Sequence, residues 1–256
     1  MSTAFQICSS DDSLLDKATR VAHEFAQQYI SDEIVGIVFL GAIVRGYFDH
    51  SSDIDIALFK KQTSKMSLPS QFLKMEGLEV HCHLADYESE LTTPWNMAKR
   101  WTYSQGQIHY DPEGKIAHLL KEKVPLQPEE KKWLLMSGLT LSEWYINRLT
   151  QLWVERGNLI SAHHMFDEGL NHFFNMLFAR NNQLVADVKW RYYCVERLLL
   201  LPSNFQERIK EIMMLRMFSI EELERRKAVF MEMWREMLPI VEQEVQMSYD
   251  EILQLV

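Results

Sequence analysis

Two short apolar runs set close together, IVGIVFLG (Ile34–Gly41) and DIDIALF (Asp53–Phe59), most constrain what this chain can fold into. The first is apolar at nearly every position and ends in glycine, the pattern of a strand buried on both faces. The second alternates, placing Ile54, Ile56 and Leu58 on one side and Asp53 and Asp55 on the other. A third run, LEVHCHL (Leu78–Leu84), alternates in the same way. Ahead of them, SSDDSLLDKATRVAHEFAQQYI puts Leu14, Ala18, Val21, Ala22, Phe25 and Tyr29 on one face of a helix whose start Ser and Asp residues can cap. A helix packed on a sheet is expected.

Further along, WNMAKRWTYSQGQIHYDPEGKIAHLLKEK reads as a helix, a short strand at Gln107 to Tyr110, a turn at Asp111 to Gly114, and another helix. VPLQPEEKK then brings Pro125 and Pro128 close together, which marks a boundary between about Val124 and Glu129. Beyond it the apolar period is helical almost to the last residue. Ser219 and Glu222 have the spacing of a capping box, with Phe218 and Leu223 placed for a hydrophobic staple, and Met231 and Trp234 read as core. The fold class expected is α+β: residues 1–124 a mixed sheet with flanking helices, and residues 129–256 a helical bundle.

Composition narrows the function classes. At 256 residues the chain can bury a sizeable core. A formal net charge of −9 disfavours bulk nucleic acid as a partner and suits a cationic or small acceptor better. The three cysteines, Cys8, Cys82 and Cys194, are widely spaced and odd in number, which argues against a disulfide framework. No basic segment leads into an apolar one at the start, and no apolar stretch approaches the roughly 20 residues of a membrane span. A cytoplasmic protein without membrane association is expected.

Asp53 and Asp55 stand side by side on one strand face. Adjacent carboxylates repel, and a divalent cation between them relieves the repulsion; hard oxygen donors suit Mg²⁺ carrying substrate phosphates. A lone Asp-x-Asp is as often two unrelated surface acids. The upstream context adds to it: Gly41 and Gly46 bracket a turn leaving a buried strand, where backbone N–H groups can face an anion, and Arg45 adds a cation.

This stretch, Gly41-Ala42-Ile43-Val44-Arg45-Gly46 followed by Ser52-Asp53-Ile54-Asp55, resembles the signature of the nucleotidyltransferase superfamily that includes DNA polymerase β and the antibiotic nucleotidyltransferases. The resemblance implies that Gly41, Ala42, Arg45, Gly46 and Ser52 line the nucleotide and that Asp53 and Asp55 are catalytic metal ligands. The family commonly has serine where this chain has Ala42. Losing one hydrogen bond to a charged group costs roughly 1.5–3 kcal/mol, so Ala42→Ser is expected to leave nucleotide binding intact or tighten it.

The family also implies a third carboxylate on a neighbouring strand. Glu79 in GLEVHCHLADY has that place, and the segment is similar to the corresponding strand of the two-domain streptomycin and kanamycin nucleotidyltransferases. Glu79 is therefore expected as a metal ligand or as the base. His81 and His83 share its face, which leaves a zinc site as a rival reading and a polar strand face as the bland one. A glutamate of the helical domain serves as general base in that family; by chain order its counterpart is Glu143, for which a solvated helix residue is an equal alternative. Lys189, in the Lys-Trp pair after an asparagine-containing turn, is expected to neutralise triphosphate, while Trp190 packs. His164, Glu168 and His172 fall on one helix face, a spacing that can hold metal but more often marks a polar surface.

Carried through, the resemblance implies a Mg²⁺-dependent enzyme, with two ions about 3.5–4 Å apart, that moves AMP from ATP to a hydroxyl of a small acceptor. Aminoglycoside-like antibiotics are the favoured acceptors, which would make it an antibiotic-resistance enzyme, and a homodimer is possible by the same likeness. Two alternatives stay open: a toxin-like relative that modifies RNA or protein, and an inactive nucleotide-binding interaction module.

Overall fold

A computed structural model describes residues 11–68 and 70–256. Cys8 lies outside the described residues. The chain divides into two compact units, the first ending at Pro125 and the second beginning at Leu126.

In the first unit, helix α1 (Asp12–Gln27) begins where Asp11 accepts hydrogen bonds from the Ser13 and Leu14 amides. It buries Ala18, Val21, Ala22, Phe25 and Ala26, while Tyr29 packs on the same cluster from just past the helix end. Strand β1 (Ile34–Leu40) leads into the five-residue helix α2 (Gly41–Arg45). Strand β2 (Ile54–Lys60) follows, then a hairpin of β3 (Phe72–Met75) and β4 (Leu78–Asp86). Helices α3 (Tyr87–Thr92) and α4 (Met97–Ser104), strand β5 (Gln107–Tyr110) and helix α5 (Lys115–Lys123) complete the unit. The strands form one mixed sheet in the order β3-β4-β2-β1-β5; β2 and β4 run parallel and every other pair antiparallel.

Both sheet faces are covered. Ile37, Phe39, Ile54, Ile56, Val80 and Cys82 point toward α1, and Val38, Leu40, Ala57 and Phe59 toward Trp95, Tyr103, Ile116 and Leu119. The alternation read in β2 therefore holds only at its start, because Ala57 through Phe59 are buried on both sides. Burial in this core pushes the Cys82 thiol up to about 12, which makes it an inert packing group.

The β3–β4 hairpin was not legible as two strands from apolar runs, although Glu76-Gly77 between alternating residues is a hairpin signal. Both residues have positive φ, 50° and 82°. The turn is tied to α1: Arg20 clamps both Glu76 carboxylate oxygens, at 2.9 and 2.6 Å, and Lys17 donates to the Glu76 carbonyl at 2.7 Å. At the other end of the unit, Arg100 donates to the carbonyls of Val124 and Pro125.

The second unit is helical: α6 (Pro128–Glu143), a π-helical stretch (Trp144–Leu149), α7 (Thr150–Glu155), α8 (Leu159–Arg180), α9 (Arg191–Val195), α10 (Phe205–Met213), α11 (Ile220–Val245) and α12 (Tyr249–Leu253). α6 and α8 approach closely at Gly138, where a Cβ would lie 2.6 Å from that of Met176. Trp234 is buried and donates to the Leu139 carbonyl at 2.9 Å, whereas Met231 is only half-buried. The expected capping box at Ser219 is half made. Ser219 accepts from the Glu222 amide, but the Glu222 carboxylate is drawn to Arg225, which holds it down at about 2. The reciprocal box occurs instead at Ser248 and Glu251. Among the described residues, no helix is long and apolar enough to cross a membrane.

Candidate metal centre

The topology brings three strand ends to one place. β1 runs antiparallel to β2, with Leu40 opposite Asp55, and β4 runs parallel to β2, with Asp55 beside His81. Asp53 stands one step before β2. Its approach is fixed by a turn in which Asp49 Oδ1 accepts from the Ser51 amide at 2.8 Å and the Ser52 hydroxyl at 3.0 Å. Ligand atoms of Asp53, Asp55 and His81 all lie within 4.8 Å of one another. Among the described residues this is the group of three able to hold a metal ion.

Gly41 is required here for two reasons. Its φ of +69° is left-handed, and a Cβ added to it would overlap Asp55 Oδ2. The absent side chain is thus the space the carboxylate occupies. Gly46 has φ +75° and closes α2, with open space around it. The site fits a dication on donor chemistry: two carboxylates and an imidazole converge, and the backbone is cleared for one of them.

His81 is oriented from outside. Phe72, its cross-strand partner on β3, stacks on the ring with centroids 4.5 Å apart and planes 10° off parallel. His81 Nδ1 lies 3.4 Å from Asp55 Oδ1. The sequence expected Glu79 as the third ligand. The structure puts Glu79 on the same face but opposite Lys74, with 3.7 Å between their charged atoms, and brings His81 to the aspartates instead. Long-range register decides this, since alternation alone cannot choose between two residues of one face. Further up β4, lost hydration and the neighbouring Lys99 hold the His83 imidazole below its ordinary value, with Glu90 opposing them.

The remaining expected residues are distributed differently. Arg45 is buried, donates to Gln105 Oε1 at 2.8 Å and lies over the Trp101 ring at 4.8 Å, so it ties α2 to α4. Ser52 is engaged in the Asp49 turn. In the second unit, Glu143 accepts a 2.6 Å hydrogen bond from Asn147, and Lys189 is exposed, its amide donating to Asp187. His164 is exposed, while His172 packs on Tyr145 and burial holds its imidazole below the usual value. The group with Glu168 does not assemble into a metal cluster among the described residues.

Ala42 is 6% exposed and belongs to the apolar cluster with Phe39, Phe48 and Ile54. The packing adds a cost to Ala42→Ser: a hydroxyl left without a partner among these side chains costs about 1–3 kcal/mol. The variant is expected to melt earlier and to gain no ATP affinity. Tighter ATP binding by calorimetry, with an unchanged melt, would show that this side chain faces the nucleotide.

No protein-family model matches the chain, and no curated protein matches it. Among solved structures, the chain is similar to the crystal structure of a nucleotidyltransferase-like protein from Exiguobacterium sibiricum 255-15. The two are 13% identical, the match covers 90% of this chain and 77% of that one, and the TM-score is 0.47.

Proposed function

We propose that this chain is a divalent-cation-dependent nucleotidyltransferase that moves AMP from ATP to a hydroxyl of a small acceptor and releases pyrophosphate. The observation that carries the reading is the Asp53–Asp55 face at the start of β2, set against the glycine that makes room for it. The acceptor oxygen forms a bond to the α-phosphorus as the bond to pyrophosphate breaks, and the acceptor's proton passes to a base. Asp53, Asp55 and His81 would hold the ion. A bound dication supplies charge neutralisation to the phosphates and to the attacking and leaving oxygens. The protein's own share is positioning: the Asp49 turn sets Asp53, Gly41 admits Asp55, and Phe72 orients His81. An aminoglycoside-like polycation is the favoured acceptor for an acidic chain.

The test is pyrophosphate release from ATP across a panel of aminoglycosides and other hydroxylated compounds, with Mg²⁺, Mn²⁺ and Zn²⁺ in parallel. Release with one acceptor supports the reading. A second reading, a non-catalytic nucleotide-binding module, is favoured by the packing roles of Ala42 and Arg45. Calorimetric binding of ATP with a dication, and no release with any acceptor, would establish that one.

A further inference from the structure

We propose that His81 is a direct metal ligand and that the centre therefore selects a first-row transition-metal dication over Mg²⁺. The inference rests on the metal-site part of the reading above and deepens it by naming the class of ion. Mg²⁺ is a hard ion that takes oxygen ligands and keeps several waters. Imidazole nitrogen adds little for Mg²⁺ but strengthens binding along the series from Mn²⁺ to Zn²⁺.

Three observations make His81 a ligand rather than a bystander. Its ring is held by Phe72, a side chain 70% exposed that pairs with it across β3 and β4, so the ring plane is set before any ion arrives. Its Nδ1 lies 3.4 Å from Asp55 Oδ1, within ion-pair reach and close enough for both atoms to face one ion. The carboxylate that could have completed an all-oxygen set, Glu79, faces Lys74 across the hairpin. Ligation through Nδ1 places the ring proton on Nε2.

Mere tightness for zinc would prove nothing, because most donor sets bind late first-row ions more strongly than Mg²⁺. The experiment must ask what His81 itself contributes. Full-length protein without nucleotide is titrated with Mn²⁺, Zn²⁺ and Mg²⁺ by calorimetry, and bound Mn²⁺ is examined by pulsed EPR for ¹⁴N coupling. Wild type should show one directly bound nitrogen. His81→Gln should lose that coupling and weaken Mn²⁺ and Zn²⁺ by roughly 10–100-fold while Mg²⁺ changes less than about twofold. His81→Glu, which restores an oxygen donor, should move the preference toward Mg²⁺; circular dichroism confirms that each variant is folded, and His81→Asn replaces any that is not.

Bound Mn²⁺ without nitrogen coupling overturns the inference, as does a loss in His81→Gln that is equal for all three ions. Absence of dication binding overturns it too. Its failure is separable from failure of the proposed function. Pyrophosphate release with Mg²⁺ and no nitrogen coupling would sink this inference alone. Nitrogen coupling with no release under any ion would leave the metal centre standing and sink the transferase.

Discussion

Asp53→Asn is expected to lower pyrophosphate release by about 10³-fold or more, on the order of 4 kcal/mol of transition-state stabilisation, while the folded protein becomes no less stable. The two effects have one origin. Asp53 and Asp55 present carboxylate oxygens within 4.8 Å of each other. Two unit charges about 4 Å apart in a water-like medium repel by about 1 kcal/mol. An ion between them turns that repulsion into binding, and the amide removes both the repulsion and the ligand. Thermal unfolding without metal should therefore be unchanged or raised by about 1–3 °C, and the stabilisation that added dication gives wild type should vanish. A variant that unfolds earlier, or keeps full activity, would mean that Asp53 serves the turn rather than the chemistry.

Gly41→Ala is expected to damage fold and centre together. Left-handed backbone costs a non-glycine residue about 1–2 kcal/mol, and the new Cβ would overlap Asp55 Oδ2, so the carboxylate must leave its place. The expected result is a loss of at least about 2 kcal/mol of stability together with dication binding. Gly46→Ala is the internal control. Its φ of +75° carries the same backbone penalty, but open space surrounds it. It should lose stability and keep the ion. Equal loss of binding in both would show that backbone geometry, not the room left for Asp55, shapes the centre.

Local pattern made much of the first unit readable. The apolar runs of β1 and β2, the alternation of β4 and the face of α1 all report burial that neighbours in sequence share. What escaped depended on partners far along the chain. A cation beside a glycine turn looks poised for phosphate, and only Gln105, sixty residues later, and Trp101 make Arg45 a strut. Glu79 and His81 are indistinguishable by alternation; Lys74 and Phe72, across the hairpin, separate them. The Ser219 box failed because Arg225 competes for the carboxylate that should have closed it. The π-helical stretch after Glu143 has no local signal, and it interrupts the register by which helix faces are read.

The clamp that Arg20 and Lys17 place on the Glu76 turn has a consequence for the chemistry of donors. Because β4 lies parallel to β2, sliding it by two residues would exchange the group beside Asp55: Glu79 in one direction, His83 in the other, an oxygen for a nitrogen or one imidazole for another. A slide of one residue would offer only Val80 or Cys82, which belong to the buried face. The turn, pinned to α1, thus helps hold β4 at the step that sets His81, and neither Glu79 nor His83, beside Asp55.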